Sequence, residues 1–247
     1  MPAKKKPVKK APIRKRAAAP RRAAAPKSKI PRITYATLAL TDKDHAAYDQ
    51  AVEQLRQNLD KHYSNFINGQ ECPARDGNEQ KHASPADTRL TVSYFPRGTR
   101  EDTQAAIASA RKASVEWMAM PYKERTRIMR RAADLLNQRV YEIAAVMAFE
   151  VGKNRAESIA EINESAELIR YYSSQIEENK GYVKPLESPG KGQRTMSVLR
   201  PYGVWGVVSP WNFPLALATG MCSGALVAGN AIVYKPASDS PVTGWHL

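Results

Sequence analysis

The stretch SPWNFPLA, residues 209–216, sets one asparagine, Asn212, between the rings of Trp211 and Phe213, with Pro210 and Pro214 two residues away on either side. An asparagine side chain offers two N–H donors without a formal charge, and such donors can hold an oxyanion that forms only during a reaction. The prolines restrict the backbone around it, so its direction would be set before a substrate arrives. An asparagine there can also cap a helix that starts beside it, and position alone favours the cap. The other reactive residue types make no set. Cys72 and Cys222 have neither metal nor disulfide spacing. Cys72 lies in a polar loop, and Cys222 falls in an apolar helical stretch where a buried structural thiol is expected. His45, His62, His82 and His246 are scattered, so no Ser-His-Asp or metal group can be assembled.

Positioning Asn212 requires a rigid frame, and the pattern on both sides predicts one. VWGVVSP (204–210) is the continuous apolar run of a fully buried parallel strand, stopped by Pro210. Pro214 suits the first turn of a helix over 215–229, which Gly229-Asn230 ends. AIVYKP (231–236) is a second buried strand, so 204–236 reads as a right-handed βαβ unit with Asn212 at the carboxyl edge of its first strand. The helix start presents N–H groups and partial positive charge to an anion. Gly220, Gly224 and Gly229 have the wrong spacing for a G-x-G-x-x-G loop and are expected to allow close helix–sheet packing. The apolar character of 204–234 does not predict a membrane span, because 215–229 is shorter than the roughly 20 residues a span needs.

Upstream, Ala47, Val52, Leu55 and Leu59 predict a helix over 43–62. NFINGQE (65–71) predicts a strand and an Asn-Gly turn, and LTVSYFP (90–96) another strand. Thr99 and Asp102 form a box-like start to an alanine-rich helix. A single helix is expected from Tyr122 to about Glu150, with Ile128, Ala132, Leu135, Leu136, Val140, Ile143, Ala144 and Met147 as its apolar stripe and Gly152 at its end. A further helix, 155–178, carries Ile159, Ile162, Ala166, Ile169 and Tyr172 on one face. Both are expected to be surface helices packed on something larger. Residues 183–200 read as a β-hairpin arm around Ser188-Pro189-Gly190.

The net charge of +14 belongs to one end. Residues 1–32 hold 13 Lys/Arg and no acidic residue, whereas the remaining 215 residues hold 25 basic and 24 acidic ones. This Ala/Pro/Lys/Arg tail cannot bury enough apolar surface to fold, so disorder is expected. It could neutralise nucleic-acid phosphates non-specifically, or simply solubilise the chain. No apolar stretch follows the charges, so no secretory signal is read. With the isolated cysteines, that favours the cytoplasm.

RPYGVWGVVSPWNFPLALATGMCSGALVAGNAIVYKPAS (200–238) resembles the aldehyde dehydrogenase superfamily throughout, with PWNFP and KPA as its specific motifs. NFINGQE, REDTQAAIASARKA and FEVGKN (149–154) extend the likeness to about 60–247. EVGKNRAESIAEINESAELIRYYSSQIEEN, with the PWNFP region, is most similar to the 1-pyrroline-5-carboxylate (L-glutamate γ-semialdehyde) dehydrogenases. The resemblance implies an α/β fold whose N-terminal part joins helices to the start of a Rossmann-like parallel sheet. It divides the chain into a tail (1–32), strands and helices of the NAD-binding domain (33–182), an oligomerisation arm (183–200) and a first βαβ unit (201–247).

By that similarity Asn212 donates to the aldehyde oxygen, Lys235 bonds the adenosine ribose of NAD, and the backbone of Ser209, Pro210 and Trp211 lines the cofactor. Many relatives carry glutamate where Ser238 stands. A carboxylate there disfavours a 2′-phosphate, so NAD against NADP stays open. Phe213 packs on the substrate's aliphatic chain, and Glu164 pairs with its amino group, although a glutamate on a solvated helix face is the ordinary alternative. The implied partners are a small aldehyde and further copies of the chain joined through 183–200. The thiolate nucleophile and the water-activating glutamate that this chemistry needs are expected beyond residue 247, so the chain alone is expected not to turn over. The alternative is a non-catalytic protein that binds nucleic acid through its basic tail.

Overall fold

The structure, a computed structural model, describes residues 39–247; the expectations made for the basic tail lie outside the described residues. Helix α1 (Asp42–Arg56) is opened by a Thr41–Asp44 capping box. It is shorter than the apolar spacing predicts, because the chain turns through Asp60, at φ 66°, into strand β1 (Lys61–His62). The Asn-Gly turn between β2 (Asn65–Ile67) and β3 (Gln70–Cys72) has positive φ at both Asn68 and Gly69, the backbone a two-residue hairpin demands. Strands β4 (Glu79–Ala83) and β5 (Thr91–Pro96) pair antiparallel, with β1 parallel on the other side of β5.

Helix α2 (Arg100–Ala119) begins as Thr99 and Asp102 predict. The Asp102 N–H donates to Thr99 Oγ1 at 3.2 Å and the Thr99 N–H donates to Asp102 Oδ2 at 3.0 Å. The single helix expected over 122–150 is two, α3 (Tyr122–Gln138) and α4 (Val140–Val151), parted at Arg139, whose φ of −106° and ψ of 19° leave the helical well. The break lets α4 sink into the interior, with Ile143–Met147 all 2 % exposed or less, so α4 is a core helix and not a surface one. The face of α3 also differs from the predicted stripe. Met129, Ala133 and Leu136 are buried, while Ile128 and Leu135 point outward. Gly152 ends α4 in the left-handed conformation at φ 69°.

Helix α5 (Arg155–Glu178) matches its predicted span and packs Ile159, Ile162, Ala166 and Ile169 against α3, α4 and the βαβ helix. After a 3-10 turn at Lys180–Tyr182, β6 (Val183–Leu186) and β7 (Thr195–Val198) form an antiparallel hairpin exposed along its whole length. Strand β8 (Val204–Val208), helix α6 (Ala216–Val227) and strand β9 (Ala231–Lys235) are the βαβ unit, with β8 and β9 parallel. Strand β8 is not fully buried. Only Val207 is, because among the described residues β8 pairs with β9 alone, which leaves Trp205 and Val208 open. Helix α6 starts at Ala216 after an N-cap Leu215, so Pro214 precedes the helix instead of opening its first turn. Gly220 and Gly224 face α5 and not the sheet. A Cβ on them would lie 3.5 Å from Leu168 and 3.8 Å from Tyr172. No described helix is long and apolar enough to cross a membrane.

The short helix α7 (Pro241–Trp245) follows β9 and is held by Glu150 of α4. The Val242 N–H donates to Glu150 Oε1 at 2.6 Å, and the Thr243 N–H and hydroxyl donate to Oε2 at 2.7 and 2.6 Å. Complete burial nevertheless pushes the Glu150 carboxyl up to about 7, against the pull of these donors.

Two outcomes follow for stability. Thr99→Ala removes an N-cap and should cost about 1 kcal/mol in urea denaturation with an unchanged m-value. Between pH 4.5 and about 7 the folded chain holds a proton on Glu150 that the unfolded chain has released. The increment of stability from that group is therefore full below pH 4.5 and gone above about pH 7, on the order of 3 kcal/mol. Denaturation curves of the wild type and Glu150→Gln across pH 4.5–8 should differ in slope in that sense. Parallel curves would show that Glu150 does not titrate there.

Candidate functional site

The loop 209–215 between β8 and α6 carries the predicted site residues, and its shape is imposed from below by two charged side chains. Glu161, on the buried face of α5 and 0 % exposed, turns its carboxylate to the start of α6. Its Oε1 accepts from the Leu215 and Ala216 N–H groups at 2.9 and 3.0 Å. It therefore supplies the acceptor a capping side chain would normally bring, and Asn212 does not cap the helix. Its Oε2 pairs with the ammonium of Lys153, which follows the Gly152 terminus of α4. Lys153 in turn donates to the Asn212 backbone carbonyl at 3.2 Å and sits 3.9 Å from the centre of the Phe213 ring, a cation–π contact.

Above this pair is a cavity of about 380 Å³ lined by Val151, Gly152, Lys153, Glu157, Trp211, Asn212 and Phe213. Asn212 is exposed to it. It lines the cavity, and among the described residues no hydrogen bond holds its side-chain amide, so both N–H donors are uncommitted. The structure thus brings together Trp211, Asn212 and Phe213. Glu164 lies exposed on α5 and is not among the lining residues, whereas Glu157, about two turns earlier on that helix, is.

The remaining predicted positions lie along the same carboxyl edge of the sheet. The Ser209 hydroxyl is turned inward, 3.1 Å from the Tyr234 hydroxyl, and its N–H donates to the Lys235 carbonyl at 3.3 Å. Pro210 is half-buried and Trp211 is 56 % exposed. Lys235 is exposed at the end of β9, its ammonium donating to the Pro236 carbonyl at 2.8 Å, and Ser238 is exposed three residues on. An exposed cation and an uncharged hydroxyl at a parallel sheet's carboxyl edge fit the ribose end of a dinucleotide. The N-termini of α6 and α7 do not fit its phosphates, because Glu161 and Glu150 already fill them. The partial positive charge expected to be open at α6 is thus spoken for.

The thiols are unsuited to nucleophilic work. Burial pushes Cys222 up to about 12, and Cys72 is remote in the β3 edge strand. No group of three metal-ligating residues occurs among the described residues. The residues that sequence reasoning passed over are Lys153, Glu157 and Glu161. A signal for Glu161 was present: it is a charged residue among Ser158, Ile162 and Ser165 on the otherwise small and apolar face of α5.

The sequence pattern of the aldehyde dehydrogenase family matches residues 73–247. The chain is 36% identical over 181 residues to an alpha-ketoglutaric semialdehyde dehydrogenase of Bacillus subtilis, a stretch covering 73% of this chain and 37% of that protein. It is 35% identical to 1-pyrroline-5-carboxylate dehydrogenase 2 of the same organism, over 79% of this chain and 37% of that one. The crystal structure of 1-pyrroline-5-carboxylate dehydrogenase from Thermus with bound NAD superposes with a TM-score of 0.77 at 30% identity, covering 83% of this chain and 39% of the other. The chain therefore spans under two-fifths of the length of these relatives. By the family pattern and by these likenesses, the chain belongs to the aldehyde dehydrogenase family.

Proposed function

We propose that the chain is the N-terminal part of an NAD(P)-dependent aldehyde dehydrogenase that oxidises an aldehyde to a carboxylic acid in the cytoplasm. We further assign L-glutamate γ-semialdehyde as the substrate and glutamate as the product, a step of proline degradation. The observation that carries the reading is the pair of uncommitted N–H donors of Asn212 at the cavity beyond β8, set in a chain of this family. The relatives named for 1-pyrroline-5-carboxylate support the substrate.

When a thiolate adds to the aldehyde carbon, the carbonyl oxygen takes up the negative charge. The Asn212 amide donates to that oxygen more strongly than to the neutral carbonyl, which lowers the barrier. NAD(P), when bound, accepts the hydride from the same carbon. Water then releases the acid from the thioester, with the proton taken by a general base. Neither the thiolate nor that base is assigned to a residue of this chain. Phe213 offers its ring to the substrate's methylene chain, and Glu164, with Glu157 nearer the cavity, supplies negative charge for its ammonium group. The backbone of Ser209, Pro210 and Trp211 would line the dinucleotide when bound, and Lys235 would hold its ribose. Ser238 adds no charge against a 2′-phosphate, so NADP is accommodated as well as NAD. The exposed apolar side chains Val183, Leu186, Met196 and Val198 on the β6–β7 hairpin suit a strand-mediated contact with a second copy.

The test is kinetic. Purified residues 1–247 with L-glutamate γ-semialdehyde and NAD should form no NADH, and sustained turnover would refute the assignment of roles. In a protein that carries the nucleophile and base, Asn212→Ala should lower kcat by about 10²–10³-fold with little change in KM. An unaltered kcat would remove Asn212 from the mechanism.

A further inference from the structure

We propose that Glu161 and Lys153 are positioning residues for Asn212 and Phe213, and that a single buried ion pair sets both the helix α6 terminus and the direction of the oxyanion donor. The proposal rests on the reading of Asn212 as that donor. Three independent contacts meet at the pair. The Glu161 carboxylate is fully buried and holds the first two N–H groups of α6 through one oxygen. Its other oxygen holds the Lys153 ammonium, whose side chain is only 8 % exposed. That ammonium then reaches past the pair to the Asn212 carbonyl and lies over the Phe213 ring. Residues 212–213 are thereby tied to α5 and to the end of α4, although they lie in a loop with no regular backbone pairing of their own.

A bond to the Asn212 carbonyl restrains the peptide plane that follows Asn212, which narrows the range of backbone positions from which its side chain can reach. Lys153 therefore acts on the donor through its backbone carbonyl. Its charge is neutralised by Glu161, so it adds no competing cation beside the site of the developing oxyanion.

Two substitutions separate this role from simple helix capping. Glu161→Gln keeps a carbonyl oxygen for the Leu215 and Ala216 N–H groups but turns a donor to the ammonium. Lys153→Met keeps side-chain length and apolar packing but loses the bond to Asn212. The measurement is backbone ¹⁵N relaxation of residues 1–247, which needs no turnover and so stands or falls separately from the enzymatic reading. In the wild type the order parameters of Asn212 and Phe213 should match those of α6, about 0.85. In Lys153→Met they should fall below about 0.6 while residues 218–226 stay ordered, and Glu161→Gln should do the same if it folds. Wild-type values already below about 0.6 would overturn the proposal. So would a Lys153→Met variant that loses thermal stability yet leaves both residues as ordered as before, which would make the pair structural only.

Discussion

The carboxylate of Glu161 is the constraint on which the site depends. A glutamate at 0 % exposure is expensive unless its oxygens are occupied, and here they meet two helix N–H groups and an ammonium. Removing one partner would leave the others buried and uncompensated, so the arrangement is all-or-none. The opposite end of α6 is treated in the complementary way. Trp117 Nε1 donates to the Leu226 carbonyl at 2.9 Å, and the buried guanidinium of Arg125 donates to the Val227 carbonyl at 3.3 Å. A carboxylate at the positive end and a guanidinium at the negative end oppose the helix dipole at both termini. The βαβ helix is thus fixed by α2, α3 and α5 as much as by its own strands.

The same device recurs one element later, where Glu150 occupies the start of α7. Both glutamates come from the helical layer, and both block the feature that a Gly-rich dinucleotide fold leaves open for phosphate. The side chains left open at the strand ends are those of Lys235 and Trp211, while Ser209 is buried. The lack of a G-x-G-x-x-G loop and the filled helix termini are two expressions of one design.

Much of this frame was legible in the sequence because its signals are local. Capping at Thr99, the Asn68-Gly69 turn, the Gly152 terminus and the span of α5 each depend on residues within a few positions of one another. The βαβ unit and its family likeness were also plain from its apolar runs and punctuation. What was not legible depends on distant packing. The break at Arg139 has no proline or glycine to announce it. It is set by tertiary contacts, with Arg139 held by Glu142 and by His246 from beyond α7. The apolar stripe ran unbroken across that junction, so periodicity pointed to one helix and to the wrong face of α3. Gly220 and Gly224 were assigned to the sheet because sequence order favours the neighbouring strands, yet the close approach is to α5. Glu161 is marked locally only as a charge on a small and apolar face, and what it meets is not local: its partners lie 54 and 55 residues away.

The electrostatics around Asn212 explain why an amide stands where a cation might have served. The nearest positive charge, Lys153, is neutralised within the ion pair. The same helical face presents Glu157, one turn before Glu161, to the cavity. An uncharged amide can stabilise a transient oxyanion without first attracting a permanent anion, and it does not itself titrate. What the chain sets at that cavity is a neutral amide between two aromatic rings and the carboxylate of Glu157, with Cys222 buried and Cys72 in strand β3.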